Sequence, residues 1–408
     1  MSLLTEIPPP SPPSVSTTPS TTRGWRGPEP SRIDEAIDRA LAEQRLVGAV
    51  VLVAHGGRVV HRRAAGLADR EAGLPMREDA LFRLASVSKP IVSTAVMVLA
   101  GQGRLTLDDP VTRWLPDFRP RLPEGLGGGE ATITLRQLLT HTSGLGYRFF
   151  EASEDGPYAQ AGVSDGMDGS GLTLAENLRR IAQVPLQFAP GTGWLYSLAT
   201  DVLGGVVEAV CGGPLAEAVR TLVTGPLRMH DTDFFASRDD GRLTTPYVNG
   251  LGIAPSRMEG LTVAPAFEGT VGIRFDPARA FDAAAFPSGG AGMVGSAGDF
   301  MRLLESLRGG GAPLLPAGLV DDMGRNHTGA WGPADAPGYG FGLGFSVLHD
   351  PRAAQSPESA GTWRWGGAYG HSWFVDRARQ LSVVAFTNTL YEGMSGRFVA
   401  DLRDAVYA

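Results

Sequence analysis

The chain reads Leu84-Ala85-Ser86-Val87-Ser88-Lys89-Pro90 at the point where a short predicted strand leads into a predicted helix. Residues three apart on a helix share a face, with their Cβ atoms about 5–6 Å apart. The hydroxyl of Ser86 can therefore reach the amine of Lys89, and can pass its proton there if the amine is neutral. An exposed lysine has a pKa of about 10.4, so burial or nearby positive charge must favour the neutral amine. The stretch predicts a nucleophile and a base at the start of a helix.

The use of lysine in this chain supports that interpretation. Lys89 is the only lysine, and the other 35 of the 36 basic residues are arginine. Because the pKa of arginine lies above about 12, arginine cannot act as a base near neutral pH, whereas lysine can. A coding bias toward arginine explains the other basic positions, and the alternative for Lys89 is a surface residue retained by chance. Its position three residues after a serine favours the catalytic base.

Composition argues against several classes of function. The 408 residues are 43% apolar and 19% charged, which is typical of a globular protein with a large core. The net charge of −7 argues against nucleic acid as a partner. Cys211 is the only cysteine, which excludes an intrachain disulfide and a metal site built on cysteines. The histidines show no His-x-x-x-His spacing, so we predict neither a metal nor a cofactor.

Residues 1–30 are rich in proline, serine and threonine and are predicted to form a disordered tail. They lack the basic region and apolar core of a secretory signal. No run in the chain approaches the roughly 20 apolar residues of a membrane span. We therefore expect a cytoplasmic enzyme without a membrane partner, and the sequence leaves its oligomeric state open.

The apolar pattern predicts a sheet to which both ends of the chain contribute. We expect a helix from Ser31, as its N-cap, to about Leu46, and then a hairpin with strands at Ala49–Ala54 and from Arg58. Three antiparallel strands and a closing helix are predicted at Thr362–Trp365, Ser372–Val375, Leu381–Thr387 and Ser395–Val406. Residues 31–108 and 285–408 are therefore predicted to form an α/β sandwich domain, and residues 109–284 a mostly helical inserted domain with pocket loops.

Tyr196 lies in a glycine-rich turn directly before a helix that we expect to be capped by Ser197. A buried phenol there can exchange protons with Ser86 and Lys89, because tyrosine can serve in acid–base catalysis. The alternative is an aromatic residue that simply packs at a helix entry. Aromatic residues also occur in the long glycine-rich stretch from Gly144 to Gly171, where they favour the wall of a pocket.

Trp365-Gly366-Gly367-Ala368 lies at the end of a predicted strand. Two glycines allow a backbone to come close to a ligand. A backbone N–H at this edge can pair with that of Ser86 to form an oxyanion hole. The alternative is a β-bulge.

Gly162-Val163-Ser164-Asp165-Gly166 matches the Gly-x-Ser-x-Gly motif of α/β-hydrolases. In those enzymes the serine occupies a sharp turn between a strand and a helix. No predicted strand precedes Ser164 and no predicted helix begins there, so we interpret this match as fortuitous.

Three motifs, Ser86-x-x-Lys89, Tyr196-Ser197-Leu198 and Trp365-Gly366-Gly367, resemble in type and order those of family VIII carboxylesterases. Those esterases are similar to class C β-lactamases and penicillin-binding proteins. The stretches 107–111, 138–145 and 370–376 resemble the same family, so the resemblance covers about residues 31–407. It implies an α+β fold of the serine β-lactamase/transpeptidase type. In that fold an antiparallel sheet flanked by helices lies beside a mostly helical domain, with the active site between them.

The resemblance also implies a role for each motif. Ser86 is expected to be the nucleophile, Lys89 and Tyr196 the proton-transfer pair, and the backbone N–H groups of Ser86 and Ala368 the oxyanion hole. The expected activity is hydrolysis of short-chain or compact small-molecule esters through an acyl group on Ser86. An acyltransferase of similar build and a β-lactamase or D-aminopeptidase-like hydrolase are the alternatives among enzymes. A catalytically silent binding protein of the same fold is the alternative outside them.

The chain departs from the class C β-lactamase pattern at two positions. Leu198 replaces the asparagine of Tyr-x-Asn, and Trp365-Gly366-Gly367 replaces Lys-Thr-Gly. Both changes remove groups that hold the amide and the carboxylate of a β-lactam, so weak lactam hydrolysis is expected. The predicted ester pocket is lined by Trp365, Gly366, Gly367, Tyr147, Phe149 and Leu198.

Overall fold

Both ends of the chain contribute strands to one eight-stranded antiparallel sheet. The computed structural model describes residues 27–250, 253–333 and 336–408, so most of the tail predicted for residues 1–30 lies outside the described residues. In chain order the strands are β1 Gly48–His55, β2 Arg58–Asp69, β3 Leu74–Pro75, β4 Leu81–Arg83, β5 Tyr247–Gly250, β6 Ile253–Arg257, β7 Thr262–Ala264, β8 Ile273–Phe275, β9 Val294–Ser296, β10 Tyr339–Phe341, β11 Ser346–Leu348, β12 Trp363–Gly367, β13 His371–Asp376 and β14 Leu381–Thr387. The large sheet has the order β10–β11–β12–β13–β14–β1–β2–β3.

Helices lie on both sides of this sheet and beside it. In chain order they are α1 Pro30–Ala42, α2 Ser88–Gly101, α3 Leu135–Leu139, α4 Pro157–Gln160, α5 Leu174–Gln183, α6 Ala199–Cys211, α7 Leu215–Val219, α8 Ala297–Arg308, α9 Ala317–Met323, α10 Leu390–Met394 and α11 Arg397–Tyr407. Within the described ranges, no single helix is long and apolar enough to cross a membrane. Only the bent pair Ala199–Cys211 and Leu215–Thr224, taken together, has that length and composition.

The central strands are buried on both faces, which explains why they read as continuous apolar runs. Successive side chains of β1 point to opposite faces of the sheet. Val50 and Leu52 face the core that contains α8, whereas Val51 and Val53 face the core formed with α1 and α11. The result is an antiparallel sheet flanked by helices, as the sequence predicted.

Helix α2 leads from this sheet into the helical part of the chain. Its residues 88–99 are all buried, and it packs against α6 and α7. Strand β4, which precedes α2, pairs with β9, and this pairing brings the turn Ser288–Gly292 alongside the start of α2. The bounds of the two predicted domains, residues 31–108 with 285–408 and residues 109–284, stay a prediction.

Two of the predicted helix caps are wrong. Helix α1 begins at Pro30 with Glu29 as its N-cap, and the hydroxyl of Ser31 donates to Glu29 instead (3.0 Å). Proline has a φ suited to the first helical position and no N–H to satisfy there, so the helix begins at Pro30, one residue before the predicted cap. Helix α6 has Leu198 as its N-cap, because the hydroxyl of Ser197 is engaged 3.1 Å from Nδ1 of the buried His141. In the second case a tertiary contact has replaced the local cap.

Candidate active site

Ser86 lies in a single turn of 3-10 helix, Ala85–Val87, between the end of β4 and the start of α2. Ala85 has φ of 45°, a left-handed conformation that is uncommon for a residue with a side chain. Such strain persists only where the surroundings hold it, and it clusters at functional sites. The backbone N–H of Leu84 donates to Met293 O (2.8 Å), which ties this turn to β9. Ser86 is half-buried, although both of its neighbours are buried.

Lys89 is enclosed by the groups around Ser86. Its residue exposure is only 1%, which is uncommon for lysine unless the amine has partners. The Nζ atom donates to Gly290 O (2.7 Å) and to Ser86 Oγ (3.2 Å). It also lies 4.7 Å from the centre of the Tyr196 ring and 5.5 Å from that of the Tyr147 ring. The structure therefore places the only lysine of the chain within hydrogen-bond distance of the predicted nucleophile.

Tyr196 also contacts Ser86. Its hydroxyl donates to Ser86 Oγ at 2.6 Å. The loop that carries Tyr196 is fixed on both sides, since Leu195 N donates to His141 O (3.0 Å) and Leu198 N donates to Gly146 O (3.2 Å). Ser86 Oγ thus contacts both members of the predicted proton-transfer pair.

Three aromatic rings contact the ring of Tyr196. The Tyr196 ring centroid lies 4.9 Å from that of His141, 5.2 Å from that of Tyr147 and 5.1 Å from that of Trp365. Burial and the charge of Lys89 lower the pKa of His141 well below its ordinary value. Burial, with neighbouring negative groups, raises the pKa of Tyr147 well above its ordinary value. Both side chains are therefore neutral near pH 7.

Two of the predicted pocket residues, Tyr147 and Phe149, begin a chain of ring contacts that leads from the site to the surface. Tyr147 stacks on Phe149 with ring centroids 4.4 Å apart, and both residues are buried. Phe149 contacts Phe150 (4.7 Å), which contacts Phe267 (5.0 Å). Phe267 is 46% exposed, so this apolar wall reaches solvent there. Sequence reasoning did not identify Phe267, because it lies more than a hundred positions from the other rings.

The glycines after Trp365 bring β12 against the segment that carries Ser86. A Cβ on Gly367 would overlap Leu84 O, and a Cβ on Gly366 would stand 2.6 Å from His371 O, so neither position has room for a side chain. His371 Nε2 also donates to Arg83 O (2.8 Å), immediately before the nucleophile turn. Ala368 follows directly and is buried. Its proposed part in an oxyanion hole with Ser86 stays a prediction.

Two further predicted residues lie inside the protein. Leu198 is fully buried at the start of α6, and its role as a pocket residue stays a prediction. Ser164 lies in a loop with no strand before it, is 1% exposed, and donates its hydroxyl to Asp168 Oδ1. Its surroundings differ from the elbow that the Gly-x-Ser-x-Gly motif requires.

Gly290 is a second residue of the site that sequence reasoning missed. Its carbonyl oxygen is nearer to Lys89 Nζ than Ser86 Oγ is, yet it lies 201 positions away in the chain. The sequence indicated only a turn at Ser288–Gly292, and no local signal connected that turn with Lys89. Within residues 27–250, 253–333 and 336–408, no group of three or more His, Cys, Asp and Glu side chains could hold a metal ion.

The sequence of this chain is similar to those of known proteins. Residues 33–408 match the family model described as Beta-lactamase. The esterase EstB of Burkholderia gladioli is 54% identical over 379 residues, which cover 93% of this chain and 95% of that protein.

Solved structures show the same fold. The structure of EstCE1, described as a hydrolase with promiscuous acyltransferase activity, superposes with a TM-score of 0.88 at 44% identity, covering 93% of this chain and 98% of that one. Unliganded simvastatin synthase from Aspergillus terreus superposes with a TM-score of 0.70 at 20% identity, covering 93% and 98% of the two chains, and supports the fold alone.

Proposed function

Because the chain belongs to the beta-lactamase family, we propose that it is a serine carboxylesterase that hydrolyses short-chain or compact esters through an acyl group on Ser86. Family membership and the α+β fold agree with the sequence predictions. The observation that carries the function is the contact of one hydroxyl, Ser86 Oγ, with both Tyr196 OH (2.6 Å) and Lys89 Nζ (3.2 Å). EstB, which is named an esterase, and EstCE1, which is described as a hydrolase, support the same activity.

In the proposed reaction Ser86 Oγ attacks the ester carbonyl carbon while its proton passes to the Lys89–Tyr196 pair. The carbonyl oxygen becomes an oxyanion, which the backbone N–H groups of Ser86 and Ala368 would stabilise. The bond to the alcohol then breaks, and the pair returns the proton to the departing oxygen. Water attacks the acyl group by the same route and releases the acid.

The side chains around Ser86 favour an uncharged substrate. Trp365, Tyr147 and Phe149 present rings, and the nearby His141 is neutral. These side chains offer no cation, so a substrate carboxylate packed against them would lose its hydration without a matching charge, which costs binding free energy. We therefore propose a small-molecule ester as the partner. The cytoplasmic location and the absence of membrane and nucleic-acid partners stay predictions.

An acyltransferase is the second candidate, because EstCE1 is described as having promiscuous acyltransferase activity. The two activities differ only in whether water or an alcohol accepts the acyl group from Ser86. Turnover of a p-nitrophenyl ester, with products analysed with and without a simple alcohol, separates them. We expect mainly free acid, and no turnover in Ser86→Ala. A predominant new ester would favour the transferase. If the protein neither turns over the ester nor forms a covalent adduct with a fluorophosphonate, a binding protein is favoured.

A further inference from the structure

Asp201 is a buried carboxylate close to Lys89 that the mechanism above does not use. It lies in the first turn of α6, five positions after Tyr196, and has no exposed surface. Its Oδ1 atom accepts a hydrogen bond of 2.6 Å from the hydroxyl of Ser288. A carboxylate without access to water must have polar or charged partners, because burying it alone is costly.

The second carboxylate oxygen faces Gly290, which accepts the hydrogen bond from Lys89. A Cβ on Gly290 would stand 2.5 Å from Asp201 Oδ2 and 3.4 Å from Lys89 Nζ. Gly290 is therefore close to both the carboxylate and the amine, at a position where a side chain would collide with Asp201. Ser288 and Gly290 belong to the same turn, so Asp201 is hydrogen-bonded to this turn through Ser288 and lies close to Gly290.

Few charged groups surround Asp201 and Lys89 in the part of the chain that the structure describes. Burial raises the pKa of Asp201, while the hydrogen bond from Ser288 and the positive charges of Lys89 and Arg279 oppose that rise. Tyr147, Tyr196 and His141 are the other titratable groups that face Lys89. Of these, Tyr147 and His141 are neutral near pH 7 because of the directions of their pKa shifts.

We propose that Asp201 is a positioning residue for Lys89. Through the hydrogen bond from Ser288 it holds the turn whose Gly290 carbonyl orients the amine. Its negative charge stabilises the ammonium that forms when Lys89 takes the proton of Ser86. A carboxylate serves the base in the same way in the Ser-His-Asp triad, where it orients the imidazole and stabilises the imidazolium. This inference rests on the proposed roles of Ser86 and Lys89.

Asp201→Asn tests the charge while keeping the shape of the side chain. Without the carboxylate the ammonium form is less stable, so it gives up its proton at lower pH. In the plot of kcat/KM against pH, we expect the rise on the acidic side to move to lower pH by about one unit. The plateau of kcat should fall by about 10²-fold with KM unchanged, because the proton-transfer step loses stabilisation. The readouts are p-nitrophenyl acetate hydrolysis and the rate of fluorophosphonate labelling of Ser86, each followed from about pH 5 to about pH 10.

Asp299→Asn is the matched control. Asp299 is also buried and accepts from Asp231 N (2.8 Å) and Thr232 Oγ1 (3.0 Å), but it lies on α8, away from Lys89. We expect it to lower the melting temperature and to leave the pH profile in place. A rise on the acidic side that does not move in folded Asp201→Asn overturns the proposal, whatever happens to the rate.

Two further measurements test the proposal if Asp201→Asn fails to fold or if the proposed function is wrong. If Asp201→Asn does not fold, Ser288→Ala removes the hydrogen bond to the carboxylate, together with the one that Ser288 Oγ accepts from Ala291 N (3.1 Å). We expect kcat to fall about 5- to 20-fold with KM unchanged. An unchanged kcat in Ser288→Ala would then overturn the proposal. The labelling rate also separates the two proposals. If the wild type labels at Ser86 but turns over no ester, the proposed function fails, while the labelling profiles of the variants still test Asp201.

Discussion

The hydroxyl of Tyr196 donates a 2.6 Å hydrogen bond to Ser86 Oγ, although the two residues are 110 positions apart in the chain. The ring of Tyr196 also contacts three other rings, so its hydroxyl and its ring can be tested separately. The hydroxyl serves the proposed proton transfer, whereas the ring serves packing.

Tyr196→Phe should therefore fold normally and lose most activity. The ring contacts with His141, Tyr147 and Trp365 remain, and only the proton-transfer group is removed. We expect kcat for a p-nitrophenyl ester to fall by about 10²–10⁴-fold. The melting temperature, followed by circular dichroism, should change by only a few degrees. Activity within tenfold of the wild type would show that the phenol is not needed.

Lys89→Arg keeps a long basic side chain and removes the base. Because arginine does not lose its proton near neutral pH, we expect the variant to be nearly inactive. The loss of a general base typically costs about 10²–10⁴-fold in rate. The check is kcat together with the melting temperature, which should confirm that the protein is folded. A folded variant that keeps more than about a tenth of wild-type kcat would rule out Lys89 as the base.

Ser86, and not Ser164, should be the residue that reacts with a fluorophosphonate. Ser86 Oγ contacts Lys89 and Tyr196, whereas the Ser164 hydroxyl donates to Asp168 inside a loop. Intact-mass measurement should show one adduct that is lost in Ser86→Ala and retained in Ser164→Ala. The two variants are matched controls for each other. An adduct that persists in Ser86→Ala would contradict the assignment.

Esters should be hydrolysed well and β-lactams poorly. A penicillin or a cephalosporin carries a carboxylate that must be desolvated, and Trp365 offers a large ring where β-lactamases have an ammonium group. Arg364 does not supply the missing cation. It precedes Trp365 on β12, so its side chain points to the opposite face of the strand, and it pairs with the buried Glu358 (3.2 Å). The check is kcat/KM for a p-nitrophenyl ester beside that for a chromogenic cephalosporin, with ring opening and side-chain ester cleavage followed separately. Ring opening within tenfold of the ester rate would move the protein to the β-lactamase side.

Asp165 should make the protein less stable as pH rises. It is buried, Oδ1 accepts from Arg148 N (3.1 Å), and Oδ2 has no hydrogen-bond partner among the described residues. Burial raises its pKa from the ordinary value of 3.8 to about 7. The folded state therefore binds this proton more tightly than the unfolded state, and the contribution of Asp165 to the free energy of unfolding falls between about pH 4 and about pH 7.

Asp165→Asn removes that pH dependence, because the amide has no proton to lose. The gain in melting temperature relative to the wild type should be larger at about pH 8 than at about pH 5. The difference between the two gains corresponds to a change of a few kcal/mol at most in the free energy of unfolding, at about 1.36 kcal/mol per pKa unit. Equal differences in melting temperature at the two pH values would contradict the assigned shift.

Local patterns account for the features that the sequence predicted well. Ser86 and Lys89 are three apart, so the start of one helix is enough to bring their side chains together. Strands β1 and β14 are marked by nearly continuous apolar runs, because both faces of the sheet are buried there. The caps at Ser31 and Ser197 failed for the opposite reason, since a proline at the helix start and a buried histidine offered alternatives to the expected local bonds.

The sequence by itself determined the family, the antiparallel sheet built from both ends of the chain, and the pairing of the only lysine with a serine. Only the tertiary structure decided which distant groups enclose that lysine. Gly290 reaches Lys89 because β9 pairs with β4, and Asp201 reaches Gly290 because α6 packs against α2. Contacts across 100 to 200 positions depend on how helices and strands pack, and no local periodicity or motif encodes that packing.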